Sequence, residues 1–267
     1  MESQMTTALI TASELKTLLA EPTTKVLDAS WNLPPSNLGI PGTRDFNIDD
    51  VADPIAPYAH TVPTEEIFAA KVRALGISNN DLVVVYDRNG ISMAAARAWW
   101  MFRLFGHDNV KVLDGGLSSW TMTGYITTEK PADIATPGMF AATLNPDLLK
   151  QTLQMNDNIS GKEFSVIDAR DAQRFALGHI PHSSSVPYAA LIDTLGTLKS
   201  KRDLEKIFTE AKTDLNRKIA CTCGSGVTAC VLALALYELG HKQAAVYDGS
   251  WTEWSSIAKL PKAIGAA

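Results

Sequence analysis

Cysteine is scarce in this chain of 267 residues: there are three, Cys221, Cys223 and Cys230, all within ten positions. A secreted disulfide framework spreads an even number along the chain, so a reducing compartment is expected. No further Cys or His pair stands at ligand spacing from Cys221-Thr222-Cys223, so neither a metal nor a cofactor is expected there. A basic surplus is missing too, with 24 Lys and Arg against 29 Asp and Glu and a formal net charge of −5. Nucleic-acid binders carry the opposite balance, which argues against that class of partner. Net charge conceals local pockets, and a small anionic substrate is compatible with it.

Long apolar runs are also absent. The most apolar stretch, Val227 to Leu236, is about half of the ~20 residues that span a bilayer, so no membrane segment is expected. Met1 to Leu9 has neither a basic region nor an apolar stretch, and no signal or transit peptide is expected. The chain is expected to be cytoplasmic. Hydrophobic residues make up 46% and charged residues 20% of it, enough to bury substantial cores. At roughly 100–150 residues per domain, the length suits two domains or one large α/β unit.

The sequence repeats itself. The first half runs VLDAS (Val26 to Ser30), IPGT (Ile40 to Thr43), VVVYD (Val83 to Asp87), FGH (Phe105 to His107) and VLDGGLSSW (Val112 to Trp120). The second runs VIDAR (Val166 to Arg170), GHIPH (Gly178 to His182), IACTC (Ile219 to Cys223), LGH (Leu239 to His241) and VYDGSWTEW (Val246 to Trp254). Asp28 to Asp168 and Ile40 to Ile180 are shifts of 140, while Gly106 to Gly240 and Asp114 to Asp248 are shifts of 134. Blocks in one order at a near-constant offset mark a tandem duplication.

In each copy, β-branched runs bounded by Gly, Asn and Asp read as buried parallel strands. Ala94 to Phe105 and Thr228 to Leu239 read as amphipathic helices, with Ser13 or Thr64 as helix caps. The expected fold class is α/β, two mostly parallel sheets with helices on both faces. The polar stretch from Thr121 to Thr136, rich in helix breakers, lies between the copies. The expected division is 1–125, a linker over 126–143, and 144–267. His107 and His241, at equivalent places, and most of the tryptophans read as structural.

The sharpest feature is Cys223-Gly224-Ser225-Gly226-Val227-Thr228-Ala229, between the strand Lys218 to Thr222 and a helix. Open α/β sheets bind ligands beyond the carboxyl ends of their strands, where this loop must lie. Two glycines permit a tight turn with inward-pointing amides, and a helix amino terminus adds positive potential. Such surroundings stabilise a thiolate and make Cys223 a nucleophile. Cys221 on the strand and Cys230 on the helix read as buried and inert. Ala229 stands where a Cys-x5-Arg phosphatase loop needs arginine, which excludes that chemistry.

The CGSGVT loop, the paired DAR…GHIP and the YDGSW…W ending resemble the two-domain rhodanese-type sulfurtransferases, and in loop form the 3-mercaptopyruvate sulfurtransferases. The resemblance covers nearly the whole chain. It implies two rhodanese-like domains, the first lacking the cysteine: Asp87 ends the strand that in the second copy ends in Cys223. It also implies a reaction that passes sulfur from 3-mercaptopyruvate through a Cys223 persulfide to cyanide or a thiol such as thioredoxin, releasing pyruvate. The implied catalytic set is Cys223, Ser225, His60 and Asp49, the last three forming a relay across the domain interface. The implied substrate-binding set is Arg174 for the carboxylate, with Gly224, Gly226, Val227 and Thr228 cradling the sulfur.

One departure concerns that carboxylate. Family members insert a loop with a second arginine before GHIP, whereas Phe175 here runs almost directly into Gly178-His179. Either another cation substitutes or the carboxylate is held more weakly. Thiosulfate-using relatives carry CRKGVT, and the neutral Gly224 and Ser225 suit a monoanionic 2-oxo acid better than a dianion. Thiosulfate:cyanide transfer and a non-enzymatic sulfur-binding module are the alternative readings.

Overall fold

The computed structural model describes residues 7–90, 93–132 and 136–266. Most of Met1 to Leu9 and residues 133–135 of the expected linker lie outside them. The chain divides into two compact units. One comprises residues 1–55, 62–145 and 194–197, and the other 56–61, 146–193 and 198–267. Each therefore includes a short segment from the other half of the sequence.

The first unit contains, in order, β1 (Leu9–Ile10), α1 (Ala12–Leu18), β2 (Thr24–Asp28), β3 (Leu38–Gly39), β4 (Arg44–Asp45) and α2 (Glu65–Ala74). β5 (Leu82–Tyr86), α3 (Met93–Leu104), β6 (Val110–Leu113), α4 (Gly116–Met122) and β7 (Thr128–Glu129) follow. The second unit contains β8 (Leu149–Lys150), α5 (Thr152–Gly161), β9 (Phe164–Asp168), α6 (Ala172–Leu177) and β10 (Ser183–Ser185). It continues with α7 (Lys201–Glu210), β11 (Lys218–Thr222), α8 (Ala229–Glu238), β12 (Ala245–Tyr247) and α9 (Ser250–Ser256).

The main sheets have the orders β1-β6-β5-β2-β4 and β10-β9-β11-β12-β8. Read in reverse, the second order matches the first strand for strand, and every pair within these sheets is parallel. This is the duplication expressed as topology. Parallel strands need covered faces, which explains why β5 (LVVVY) and β11 (KIACT) are apolar almost throughout. Equivalent residues build the cores on one face of each sheet. Val26, Ile40 and Trp120 cluster in the first unit; Val166, Ile180 and Trp254 cluster in the second. Both tryptophans are fully buried, and each indole N–H donates to a backbone carbonyl, Ile126 at 3.0 Å and Pro261 at 2.8 Å.

Three local expectations change. α3 and α8 are not amphipathic: almost every residue is buried, including Trp99 and Trp100, because both helices are covered all round. α1 is capped by Thr11 rather than Ser13, through a reciprocal box with Glu14, while Thr64 caps α2 as expected. The stretch expected as a linker is partly structured, since β7 pairs antiparallel with β3 and Phe140 is buried beside Phe68. Among the described residues, no helix is long and apolar enough to cross a membrane.

Candidate active site

β11 ends at Thr222, whose carbonyl accepts the Ala169 N–H at 2.8 Å, and the next residue is Cys223. Cys223 is 1% exposed and leads into the loop where Gly224, Ser225 and Thr228 are half-buried. Gly226 turns that loop through the left-handed region at φ +80°, which favours glycine. α8 begins directly after Thr228, which makes no side-chain capping bond to it. The loop thus delivers a thiol at the carboxyl end of the central strand and at the amino end of a buried helix.

The first unit shows what that position accommodates. Asp87 follows β5 as Cys223 follows β11, and Gly90 turns at φ +73° as Gly226 does. The Asp87 carboxylate accepts the Ala95 N–H at 2.9 Å and also bonds the amides of Ala94 and Met93, the opening residues of α3. A negatively charged group at this place in the fold is met by the first-turn amides of the following helix. Burial nonetheless dominates, and with the nearby Asp28 it pushes the Asp87 carboxyl up to about 7 against the helix amides.

The three cysteines are buried and form no disulfide. Burial raises the Cys221 thiol well above its ordinary range, with Cys230 and Cys223 adding to the shift, so Cys221 stays protonated and inert. Cys230 is the second residue of α8, and its thiol donates to the Gly226 carbonyl at 3.3 Å.

Arg174 is carried by α6, where Asp171 spends its carboxylate capping the Arg174 backbone N–H at 2.8 Å. The guanidinium lies over the loop: a Cβ placed on Gly224 would sit 3.0 Å from Arg174 Nη2. Gly224 leaves that approach open. Arg174 itself is exposed, whereas the neighbouring Arg170 forms a buried ion pair. Arg170 grips Asp168 with Nη2–Oδ2 at 2.7 Å, donates to the Gly178 carbonyl and stacks on Trp251 at 4.8 Å. His179 is buried, stacked on Phe175, with Nδ1 at 3.0 Å from the Phe175 carbonyl oxygen.

His60 belongs by sequence to the first copy, but its segment, 56–61, is part of the second unit, the one that holds Cys223. It is buried with a left-handed backbone (φ +63°), and two residues earlier the Tyr58 hydroxyl lies 2.9 Å from Oγ of Ser256, the last residue of α9. Asp49 is in the first unit, exposed, with its carboxylate accepting the Trp31 indole N–H at 2.9 Å. Cys223, Gly224, Ser225, Gly226, Val227, Thr228, Arg174 and His60 all belong to the second unit, and Asp49 belongs to the first. Ser250 was not foreseen: its hydroxyl accepts the N–H of Cys223 itself at 3.1 Å. The signal was in the repeat, where Gly116 stands opposite a serine.

Two parallel sheets of one topology, one of them ending in a buried thiol at a helix amino terminus, define the class as a duplicated α/β domain, and sequence matching identifies its family. The rhodanese-like domain pattern matches residues 11–123 and 146–257, and the chain belongs to that family. It is 39% identical over 293 residues to thiosulfate/3-mercaptopyruvate sulfurtransferase 2 of Arabidopsis thaliana, covering 95% of this chain and 85% of that one. With the thiosulfate sulfurtransferase of Gallus gallus the identity is 41% over 248 residues, with 86% of each chain covered. The crystal structure of SseA, a 3-mercaptopyruvate sulfotransferase of Escherichia coli, superposes with a TM-score of 0.85 at 33% identity, covering 92% of this chain and 99% of that one. The protein is a sulfurtransferase.

Proposed function

We propose that the protein moves a sulfane sulfur from 3-mercaptopyruvate, through a persulfide on Cys223, to a thiol or cyanide acceptor. The observation that carries this reading is the Arg174 guanidinium over Gly224, next to Cys223. A guanidinium there suits the donor carboxylate while the donor sulfur reaches the thiolate.

In the first half-reaction the Cys223 thiolate attacks the donor sulfur. The Cys223 S–S bond forms, the C–S bond of the donor breaks, and its electron pair leaves on carbon as the enolate of pyruvate. Ser225, two residues after the nucleophile and half-buried, is assigned to protonate the enolate, with His60 as the proton source. The loop amides and the start of α8 stabilise the persulfide anion, as the α3 amides hold the Asp87 carboxylate. In the second half-reaction an acceptor thiolate or cyanide attacks the outer sulfur, the S–S bond breaks, and the electron pair returns to Cys223. Asp49, whose carboxylate accepts the Trp31 indole, carries no step in this reading. The first unit, with Asp87 at the equivalent place, is assigned no chemistry.

Thiosulfate is the second reading, favoured by the name of the Gallus gallus relative. Against it, Gly224 and Ser225 bring no cation into the loop for a dianion. Three thiols outside any disulfide suit a reducing setting, and the chain is assigned to the cytoplasm on that ground. Two measurements on one preparation test the proposal. Mass spectrometry after incubation with mercaptopyruvate is expected to find one added sulfur atom on the peptide containing Cys223. The kcat/KM for mercaptopyruvate is expected to exceed that for thiosulfate. Absence of the adduct on folded protein refutes the mechanism, and the reverse preference refutes the donor.

A further inference from the structure

Ser250 is fully buried and holds a left-handed backbone at φ +50°, a conformation that side chains bearing a Cβ rarely adopt. Its hydroxyl accepts the Cys223 N–H at 3.1 Å and donates to the Tyr247 carbonyl at 2.8 Å. The next two residues continue the grip. The Trp251 N–H donates to the Cys223 carbonyl at 3.0 Å; the Thr252 N–H and hydroxyl donate to the Gly224 carbonyl at 2.9 and 2.7 Å.

These bonds fix both peptide planes that flank the Cys223 Cα. The plane before it is held at its oxygen by the Ala169 N–H and at its nitrogen by Ser250. The plane after it is held at its oxygen by Trp251. With both planes set, the direction of the Cys223 Cα–Cβ bond is set as well.

The first unit supplies an internal comparison. Gly116 occupies the position of Ser250, also left-handed at φ +55°, and the Leu117 N–H donates to the Asp87 carbonyl at 2.9 Å as Trp251 does to Cys223. There the site has no room for a side chain, because a Cβ on Gly116 would lie 2.2 Å from the Asp87 carbonyl oxygen. The backbone clamp is common to both copies. The hydroxyl on the N–H, with the unfavourable dihedral that brings it there, occurs in the copy that holds the thiol.

We propose that Ser250 is a positioning residue for the nucleophile, aiming Cys223 at the donor sulfur through the hydrogen bond to its N–H. The inference rests on the Cys223 persulfide reading. It is tested by Ser250→Gly, which keeps the left-handed backbone accessible and removes the hydroxymethyl side chain, and with it the hydrogen bond to the Cys223 N–H. The expected result is a thermal midpoint close to that of the wild type, with single-turnover persulfide formation at Cys223 slowed about tenfold. The KM for mercaptopyruvate is expected to stay within about twofold, since Ser250 touches the nucleophile rather than the donor. Wild-type persulfide rates in folded Ser250→Gly overturn the proposal. Should the glycine variant lose its fold, Ser250→Ala is read in the same way, and unfolding of both overturns the proposal in favour of a purely structural serine. If the wild type itself forms no persulfide, it is the Cys223 reading that fails, which separates the two outcomes.

Discussion

Asp87→Asn tests the electrostatics of the cradle without touching the thiol. In the native protein the Asp87 carboxyl is buried and pushed from 3.8 up to about 7, chiefly by desolvation. Once unfolded, the same group titrates near its ordinary value. Between about pH 4 and pH 7 the unfolded chain has therefore released a proton that the folded chain keeps, so this group lowers folding stability progressively as pH rises. Below about pH 4 both states are protonated, and above about pH 7 both are ionised, so the contribution is flat at either end. Raising a carboxyl from 3.8 to about 7 is worth about 4 kcal/mol over the whole window, an upper figure that relaxation and water entry reduce. Asparagine keeps an oxygen to accept the Ala95 N–H and has no charge to desolvate. The assay is urea unfolding of the full chain at half-unit steps from pH 4.5 to 8, wild type against variant. The variant is expected to gain stability relative to wild type by about 2–4 kcal/mol across that range, almost all of it below pH 7.5. Parallel stability profiles would refute the reasoning, because they would mean that Asp87 is as easily ionised in the fold as in the open chain.

The remaining expectations are simpler. Arg174→Ala is expected to raise the KM for mercaptopyruvate about ten- to hundredfold, the loss of one charge-assisted bond of about 1.5–3 kcal/mol, with kcat changed much less. Steady-state kinetics with varied donor checks it, and an unchanged KM removes the role. Thr11→Ala breaks the reciprocal cap of α1 and is expected to cost about 1 kcal/mol at neutral pH in urea unfolding. Because Thr11 holds the Glu14 carboxyl below its ordinary range, that difference is expected to shrink as pH falls through the carboxylate range.

Much of this was legible in the sequence, for identifiable reasons. The offset between VLDAS and VIDAR carries over to β2 and β9, and Lys218 to Thr222 forms β11 with the expected bounds, because buried parallel strands leave an apolar run in any sequence. Cys223 at the strand end followed from the same reading. What failed to show were features set by tertiary surroundings. The all-round burial of α3 depends on what packs over its second side, which helical periodicity cannot report. The choice of Thr11 over Ser13 depends on where Glu14 reaches back. The breaker-rich stretch hid β7, a two-residue strand too short to leave a pattern. The left-handed turn at Ser250 was readable only by aligning it with Gly116, since serine alone gives no sign of positive φ.

The exchange of short segments between the units has a consequence for how this chain can be divided. Residues 56–61, with His60, are integral to the second unit, and residues 194–197 to the first, where Gly196 fits so closely that a Cβ would lie 2.2 Å from the Gly90 carbonyl oxygen. A cut between the two halves of the sequence therefore leaves each unit without one of its segments. The duplication survives strand for strand in the two sheets, while the boundary between the compact units no longer follows the boundary between the two copies of the sequence.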